Sequence, residues 1–209
     1  MAKRAPVEEE TRTRARTRRA ILEAAVSVLG ERSTAPLSEV AQAAGVARST
    51  LQRYFPERSD LLAALDDHAD ELLREATERA RIAEGSGVEA FVRLAAEYFP
   101  LRDAIMLAWG SGDDSGEPDW LDDQSEYDRA LYALIERGHA DGTIDRRIAP
   151  VWAQQLLWAH LYSAWTYTRT APASRHEALT ACLYSLVKVV CVGDPAKAAA
   201  GLVPLPAEH

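Results

Sequence analysis

The sequence has little of what sheet-forming, secreted and membrane-spanning proteins need. Among its 209 residues, three are phenylalanine and two are cysteine. No stretch alternates Val, Ile and Thr for long enough to form a sheet. The N-terminus is charged and has no apolar core like that of a signal peptide, and no apolar run reaches transmembrane length. These absences predict an all-α protein that is intracellular, soluble and cytoplasmic, with no membrane partner.

Residues that carry out catalysis or bind metals also lack the spacings that such chemistry requires. His68, His139, His160 and His176 fall in no HExxH motif and in no paired spacing typical of a metal site. No serine lies in a nucleophile-elbow context, and no glycine-rich loop could hold a phosphate. We therefore expect no cofactor and no metal, and an enzyme that uses a C-terminal pocket is the disfavoured alternative.

The two cysteines are predicted to remain thiols. Cys182 and Cys191 are nine residues apart in a helical pattern. At a rise of ~1.5 Å per residue they lie about 13 Å apart along one axis, which is too far for a disulfide. Their apolar neighbours favour buried thiols over a redox sensor.

The net charge changes sign along the chain. The overall value of −8 on its own argues against a nucleic-acid partner. However, residues 1–60 hold 11 Lys and Arg against 8 Asp and Glu, whereas residues 61–209 hold 13 against 24. We therefore expect the two parts of the chain to have different partners.

Residues 37–55, LSEVAQAAGVARSTLQRYF, have the pattern of a helix-turn-helix. Val40 and Ala44 can pack the first helix, and Ala41 is small where the helices cross. Gly45 can adopt the positive φ that the corner needs. The second helix has an apolar face formed by Leu51, Tyr54 and Phe55, and its other side chains can reach bases and phosphates in a major groove.

An arginine-rich run leads into the helix that supports this motif, and these arginines can lie along a phosphate backbone or reach the minor groove. Another helix begins near Arg58, where the helix N-terminus also attracts a phosphate. The DNA contacts predicted from all of these segments are Arg14, Arg16, Arg18, Ser38, Arg48, Ser49, Thr50, Gln52, Arg53, Tyr54 and Arg58.

From about Arg18 to Leu65, and most specifically in AQAAGVARSTLQRYFPERSDLLAAL, the sequence resembles the N-terminal domain of TetR-family transcriptional regulators. The resemblance combines an AxxAGV turn, a TLxxYF recognition helix and a following helix with a basic first turn. The family usually has serine at the position of Ala47, an aromatic residue at that of Gln52 and a hydroxyl residue at that of Pro36. The first difference removes a helix cap, the second can turn a packing or phosphate contact into a base contact, and the third replaces a hydroxyl from which the resemblance implies a phosphate contact.

The predicted architecture is an N-terminal three-helix head joined by a long fourth helix, from about Arg58 to Ala83, to a larger helical domain. The ranges are a disordered basic arm over 1–12, a helix-turn-helix DNA-binding domain over 13–60, a helical effector-binding and dimerisation domain over 61–192, and a flexible tail over 193–209. Of the last two long helices, predicted over 151–170 and 174–192, the second carries an apolar stripe that is wide for a surface helix. Together with what the family resemblance implies, this stripe leads us to expect a homodimer formed by these two helices.

The resemblance implies a C-terminal pocket whose ligand changes the spacing of two DNA-binding heads. Five tryptophans against three phenylalanines suggest a flat, hydrophobic or aromatic ligand. Residues expected to line the pocket are Tyr98, Met106, Trp109, Trp120, Tyr127, Trp158, His160, Tyr162 and Trp165. An acidic run is expected to be a solvated loop, although it could attract a cationic ligand; its residues are Asp113, Asp114, Glu117, Asp119, Asp122 and Asp123.

The predicted function is a ligand-responsive regulator that represses transcription by binding a palindromic DNA operator as a homodimer. Two alternatives stay open at this point: a DNA-binding regulator without ligand response, and an activator that uses the same head.

Overall fold

The computed structural model describes residues 5–111 and 126–198, and their backbone is mainly helical. Within these residues there is no strand, and one isolated antiparallel bridge pairs Ile144 with Cys191. The prediction of an all-α fold is confirmed. The helices are α1 (Ala5–Glu31), α2 (Leu37–Ala43), α3 (Arg48–Tyr54), α4 (Arg58–Arg79), α5 (Gly87–Tyr98), α6 (Arg102–Ser111), α7 (Glu126–Ala140), α8 (Pro150–Thr170), α9 (Arg175–Val190) and α10 (Pro195–Ala198), with a 3-10 turn at Phe99–Leu101.

The first helix starts earlier than the sequence led us to predict. Residues 1–12 are predicted to be a disordered arm, whereas α1 begins at Ala5 and continues to Glu31. Glu and Arg are good helix formers, and this segment places Glu8 four residues before Arg12, the spacing that favours a helix. The structure therefore differs from the prediction over residues 5–12, and residues 1–4 lie outside the described part.

The helix-turn-helix is formed by α2 and α3. At its corner Gly45 has a φ of 67°, and the Val46 N–H donates to the Ala41 carbonyl oxygen at 3.0 Å. The N-cap residues Pro36 and Ala47 supply no side-chain cap, so the packing of apolar side chains holds both helices in place. That buried cluster contains Ile21, Leu22, Ala25, Leu29, Ala35, Val40, Ala41, Leu51, Phe55, Leu61, Ala64 and Leu65.

The chain divides into two compact units. The first comprises Met1–Glu71 and Asp103–Ser115, and the second comprises Leu72–Arg102 and Gly116–His209. Helix α4 contributes residues to both units, and α6 belongs to the first from Asp103 onward. The domain limits that we predict from the sequence remain a prediction.

In the second unit, two helix backbones touch where Gly87 of α5 meets Gly138 of α7. A Cβ atom added to Gly87 would lie 2.2 Å from the Cα of Gly138, so the contact leaves no room for a side chain. Helix α8 is anchored by Trp165, which is buried and whose indole N–H donates to the Phe99 carbonyl oxygen at 2.9 Å. These contacts pack α5, α7 and α8 together.

Two arginines bind the turn that follows α4. Arg93 donates from Nε to the Ala80 carbonyl oxygen at 2.9 Å, and from Nη2 to the carbonyl oxygens of Arg81 at 3.1 Å and Glu84 at 2.5 Å. Arg137 donates to the carbonyl oxygens of Ile82 and Gly85. Because Arg81 has a φ of 47°, the helix stops at Arg79 rather than near Ala83 as predicted.

Helix α9 carries one cysteine and is followed by the other. Cys182 is buried, Cys191 is half-buried, and both are free thiols. Burial raises the pKa of the Cys182 thiol to about 12, and burial with the nearby Asp194 charge raises the pKa of Cys191. The predicted flexible tail contains α10, and residues 199–209 lie outside the described part. None of the described helices has the length and apolarity needed to cross a membrane.

Candidate nucleic-acid interface and ligand site

Helix α3 exposes most of the side chains predicted to read DNA. Leu51 is fully buried and Phe55, the residue after the helix, is 2% exposed, so these two residues fix the inward face. Ser38, on α2, is exposed as well. On the outward face of α3, Arg48, Ser49, Gln52 and Arg53 are exposed and Thr50 is half-buried.

The arginines predicted on α1 lie beside the end of α3. Arg14, Arg16 and Arg18 are all exposed. The Cζ atom of Arg14 is 5.9 Å from the centre of the Tyr54 ring, and that of Arg18 is 5.7 Å from the centre of the Phe55 ring. The structure therefore brings basic residues from two separate helices together, where they can contact the same stretch of a DNA backbone.

Arg58 differs from the other predicted DNA contacts. Its guanidinium is half-buried and donates to the Ala35 carbonyl oxygen at 2.8 Å and to the Ser33 carbonyl oxygen. These bonds hold the loop between α1 and α2 against the start of α4. The side chain is thus engaged within the protein, unlike the free phosphate contact that the sequence led us to predict.

Two of the predicted ligand residues stack on each other in the second unit. The rings of Tyr98 and Trp158 have centroids 5.6 Å apart and an interplanar angle of 13°. Tyr98 is 1% exposed, and its hydroxyl forms a 2.7 Å hydrogen bond with Thr77 Oγ1. Burial raises the pKa of Tyr98 above its usual range despite that hydrogen bond, so the hydroxyl stays neutral.

Polar side chains from α7 and α8, which we did not predict from the sequence, add to this region. The Tyr132 hydroxyl donates to Gln154 Oε1 at 2.7 Å, and Gln154 Nε2 donates to an oxygen of Asp128. The charge of Asp128 also raises the pKa of Tyr98 and of Tyr132, after the larger effect of burial. The sequence signal that could have pointed to these residues is the four-residue spacing of Asp128 and Tyr132, which places both on one face of a helix.

Tyr127, half-buried on α7, also raises the pKa of Tyr98 and belongs to this group, whereas the other predicted ligand residues do not join it. Trp165 is buried and its indole N–H is hydrogen-bonded to the Phe99 carbonyl oxygen. The His160 Nδ1 atom is 2.7 Å from the Leu156 carbonyl oxygen. Tyr162 is 54% exposed. Met106 belongs to the first unit. The Trp109 side chain, Trp120 and the acidic run 113–123 lie outside the described residues.

Helices α8 and α9 share a groove and an exposed apolar surface. The groove is lined by His160, Ser163, Ala164, Tyr167, Ala178, Ala181, Cys182 and Ser185. Large apolar side chains are also exposed on and just after the two helices. They are Val151 at 48%, Trp152 at 58%, Tyr162 at 54%, Tyr167 at 45%, Val189 at 46% and Val192 at 55%. Exposed apolar area of this kind is typical of a protein interface.

Known proteins with the same features identify the class to which the chain belongs. Residues 21–65 match the family model of the tetR family of bacterial regulatory proteins. Over 177 residues the chain is 33% identical to the HTH-type transcriptional repressor LfrR of Mycolicibacterium smegmatis, covering 85% of this chain and 92% of LfrR. It is 31% identical over 128 residues to the HTH-type transcriptional regulator NfxB of Pseudomonas aeruginosa, covering 58% of this chain and 66% of NfxB.

A solved structure agrees with the sequence comparisons. The TetR-like regulator LfrR from Mycobacterium smegmatis in complex with proflavine matches with a TM-score of 0.65 and 34% identity, over 83% of this chain and 96% of that one. Helix-turn-helix geometry and these similarities define a transcriptional regulator rather than an enzyme. The chain belongs to the tetR family of bacterial regulatory proteins. Regulators of this family bind DNA and small molecules and are typically dimers.

Proposed function

We propose that the protein is a dimeric repressor that binds a palindromic operator and leaves it when a small aromatic molecule binds the second unit. The observation that carries the proposal is the surface shared by α1 and α3. Exposed arginines from both helices surround an outward face of α3 whose polar side chains can reach base edges. As a regulator of transcription, the protein would act in the cytoplasm, where the bacterial chromosome lies.

The base contacts are assigned to the outward face of α3. Thr50 and Gln52 can contact base edges. Arg14, Arg16, Arg48 and Arg53 would contact phosphates. In a dimer the two copies of α3 would enter successive major grooves ~34–36 Å apart, or somewhat further apart, on a palindrome.

The dimer is assigned to α8 and α9. Their exposed apolar side chains and shared groove would be buried by the same helices of a second copy, which makes a four-helix interface about a two-fold axis. Such burial removes from water the apolar area that a monomer would leave exposed at Trp152, Tyr167 and Val189.

The effector is proposed to be planar, aromatic and positively charged. The half-buried Trp158 ring, which stacks on the buried Tyr98 ring, offers a flat apolar surface, and the Asp128 carboxylate lies in the same region. LfrR, the similar regulator, has been crystallised with proflavine, which is a molecule of this type. Binding would release DNA by favouring a conformation in which the spacing of the two α3 helices no longer fits the operator.

The test begins with the full-length protein and a pool of random duplexes. Bound sequences are selected and sequenced, and the affinity for the recovered site is measured by fluorescence anisotropy with and without proflavine. We expect a palindromic site and its release as proflavine binds. Recovery of no preferred sequence contradicts the operator, and a complex that persists while proflavine is bound contradicts the ligand response.

A further inference from the structure

Tyr54, the last residue of α3, has an arginine from each of two helices close to its ring. The Cζ atom of Arg14 on α1 is 5.9 Å from the ring centre, and that of Arg53 on α3 is 5.8 Å from it. The ring is half-buried against the core of the first unit, so its position is fixed by packing. Two guanidinium groups from separate helices therefore share one anchored aromatic platform.

The neighbouring ring extends this arrangement by one helical turn. Arg18 lies four residues after Arg14 on α1, and its Cζ atom is 5.7 Å from the centre of the Phe55 ring. The Tyr54 and Phe55 ring centroids are 6.5 Å apart. Arg14, Arg18 and Arg53 thus lie on two adjacent rings, which brings three positive charges together.

Two other arginines of the first unit form ion pairs within the protein. Arg19 pairs with Glu23 at 3.1 Å, and Arg32 pairs with Glu39. By contrast, among the side chains that the structure describes, no carboxylate forms an ion pair with any of the three stacked arginines. Positive charges held close together repel one another, and an anion placed between them relieves that repulsion. An anion that meets several of these guanidinium groups at once would therefore be bound strongly.

We propose that Tyr54 is a positioning residue whose ring holds Arg14 and Arg53 together as a clamp for one phosphate of the DNA backbone. This inference rests on the proposed function, because it assumes that duplex DNA is the partner. The clamp joins α1 to α3, so that one phosphate fixes the depth and angle at which α3 enters the groove. Tyr54 acts through its ring face, and the hydroxyl has no part in the clamp.

Two substitutions at Tyr54 separate the ring from the hydroxyl. Tyr54→Phe keeps the ring and removes the hydroxyl, whereas Tyr54→Leu removes the ring. Operator affinity is measured with each full-length variant at several salt concentrations. We expect Tyr54→Phe to stay within about twofold of the unchanged protein. Because two exposed cation–π contacts are lost, Tyr54→Leu should bind about five- to tenfold more weakly, with a shallower salt dependence.

A double-mutant cycle tests the coupling to Arg14. If the ring positions Arg14, Arg14→Ala weakens binding much less in the Tyr54→Leu background than in the unchanged protein. Arg16→Ala is the matched control, because Arg16 is exposed on the same helix and lies over none of the aromatic rings that the structure describes. Its effect should be smaller than that of Arg14→Ala and the same in both backgrounds.

Three results would overturn the clamp. Equal losses in Tyr54→Phe and Tyr54→Leu would mean that the hydroxyl contacts DNA directly. Additive effects of Arg14→Ala and Tyr54→Leu would mean that the ring does not position Arg14. If Tyr54→Leu does not fold, equal losses of operator affinity in Arg14→Ala and Arg16→Ala contradict the clamp. If the protein without any substitution binds no DNA duplex, that result contradicts the proposed function. It is distinguishable from the three results that overturn the clamp.

Discussion

Three arginines of the first unit and two of the second make opposite kinds of contact. In the first unit, Arg14, Arg18 and Arg53 are exposed and lie over aromatic rings. In the second, Arg93 and Arg137 donate to backbone carbonyl oxygens of the turn after α4. The chain as a whole carries a net charge of −8. The position of exposed arginines whose guanidinium groups are not hydrogen-bonded to the protein backbone, and not the net charge of the chain, therefore indicates where an anionic partner binds.

The largest effect on DNA binding is expected from the outward face of α3. Thr50→Ala and Arg53→Ala should each weaken operator binding by roughly tenfold or more, because a base contact is worth ~1–3 kcal/mol and a hydrogen bond from a charged group to a phosphate about as much. Anisotropy titrations measure the affinity, and size-exclusion chromatography checks the dimer. Arg147→Ala is the control, since Arg147 is an exposed arginine of the second unit, paired with Asp145. Unaltered binding by Arg53→Ala contradicts the assignment.

Glycine substitutions probe the packing of each unit. Gly87→Ala should destabilise the second unit by about 1–3 kcal/mol, because the new Cβ atom meets the backbone of Gly138 at 2.2 Å. Gly45→Ala in the first unit meets no atom within 4 Å, and its cost comes only from the φ of 67°. That cost should be ~1–2 kcal/mol. Urea unfolding of both variants measures the difference, and a Gly87→Ala protein as stable as the unchanged one contradicts the close helix contact.

The ligand site is tested by two aromatic residues of α8. Trp158→Ala should weaken proflavine binding about tenfold, because it removes one ring of the stack with Tyr98. Tyr162→Ala should leave proflavine affinity unchanged, since Tyr162 is exposed on the same helix. Fluorescence titration gives both affinities. The reverse order of effects would place the ligand on the exposed side of α8.

The smallest effect expected is a pH dependence from Asp141. Burial raises the pKa of its carboxyl. Hydrogen bonds from Thr143 and from the Gly87 N–H, together with the Arg137 charge, lower that pKa by more than burial raises it, so the net shift is downward. A carboxyl with a lowered folded pKa adds stability above its unfolded pKa of about 4, and that stability is lost as the pH falls through the folded value. Asp141→Asn should therefore flatten the loss of stability between about pH 5 and pH 3 in urea unfolding. An equal slope in both proteins argues against this contribution.

The helix-turn-helix could be predicted because its requirements are local. A small residue at Ala41, a flexible one at Gly45 and the apolar spacing of Leu51 and Phe55 all act within a few residues of one another. The same local patterns could not reveal the partners of Arg58, which donates to carbonyl groups 23 and 25 residues away in the chain. An arginine near a helix start has the same appearance in sequence whether it contacts a phosphate or a loop.

The sequence indicates the aromatic composition around Tyr98 and Trp158, but not how these residues are arranged. Helix α8 is apolar around much of its circumference, so periodicity could not show that Trp158 faces Tyr98 while Tyr162 faces solvent. The polar groups of Asp128, Tyr132 and Gln154 were missed because their hydrogen bonds join two helices that are distant in sequence. Only the packed structure brings them together.

The salt dependence of operator binding tests most directly whether the arginines of the two units differ in role. Each exposed arginine that contacts a phosphate adds about one to the slope of log affinity against log salt concentration. Arg14→Ala and Arg53→Ala should therefore lower the slope, whereas Arg93→Met and Arg137→Met, measured where they remain folded, should leave it unchanged. Equal slopes for all four variants, or lower slopes for Arg93→Met and Arg137→Met alone, would contradict this assignment of the DNA-binding surface.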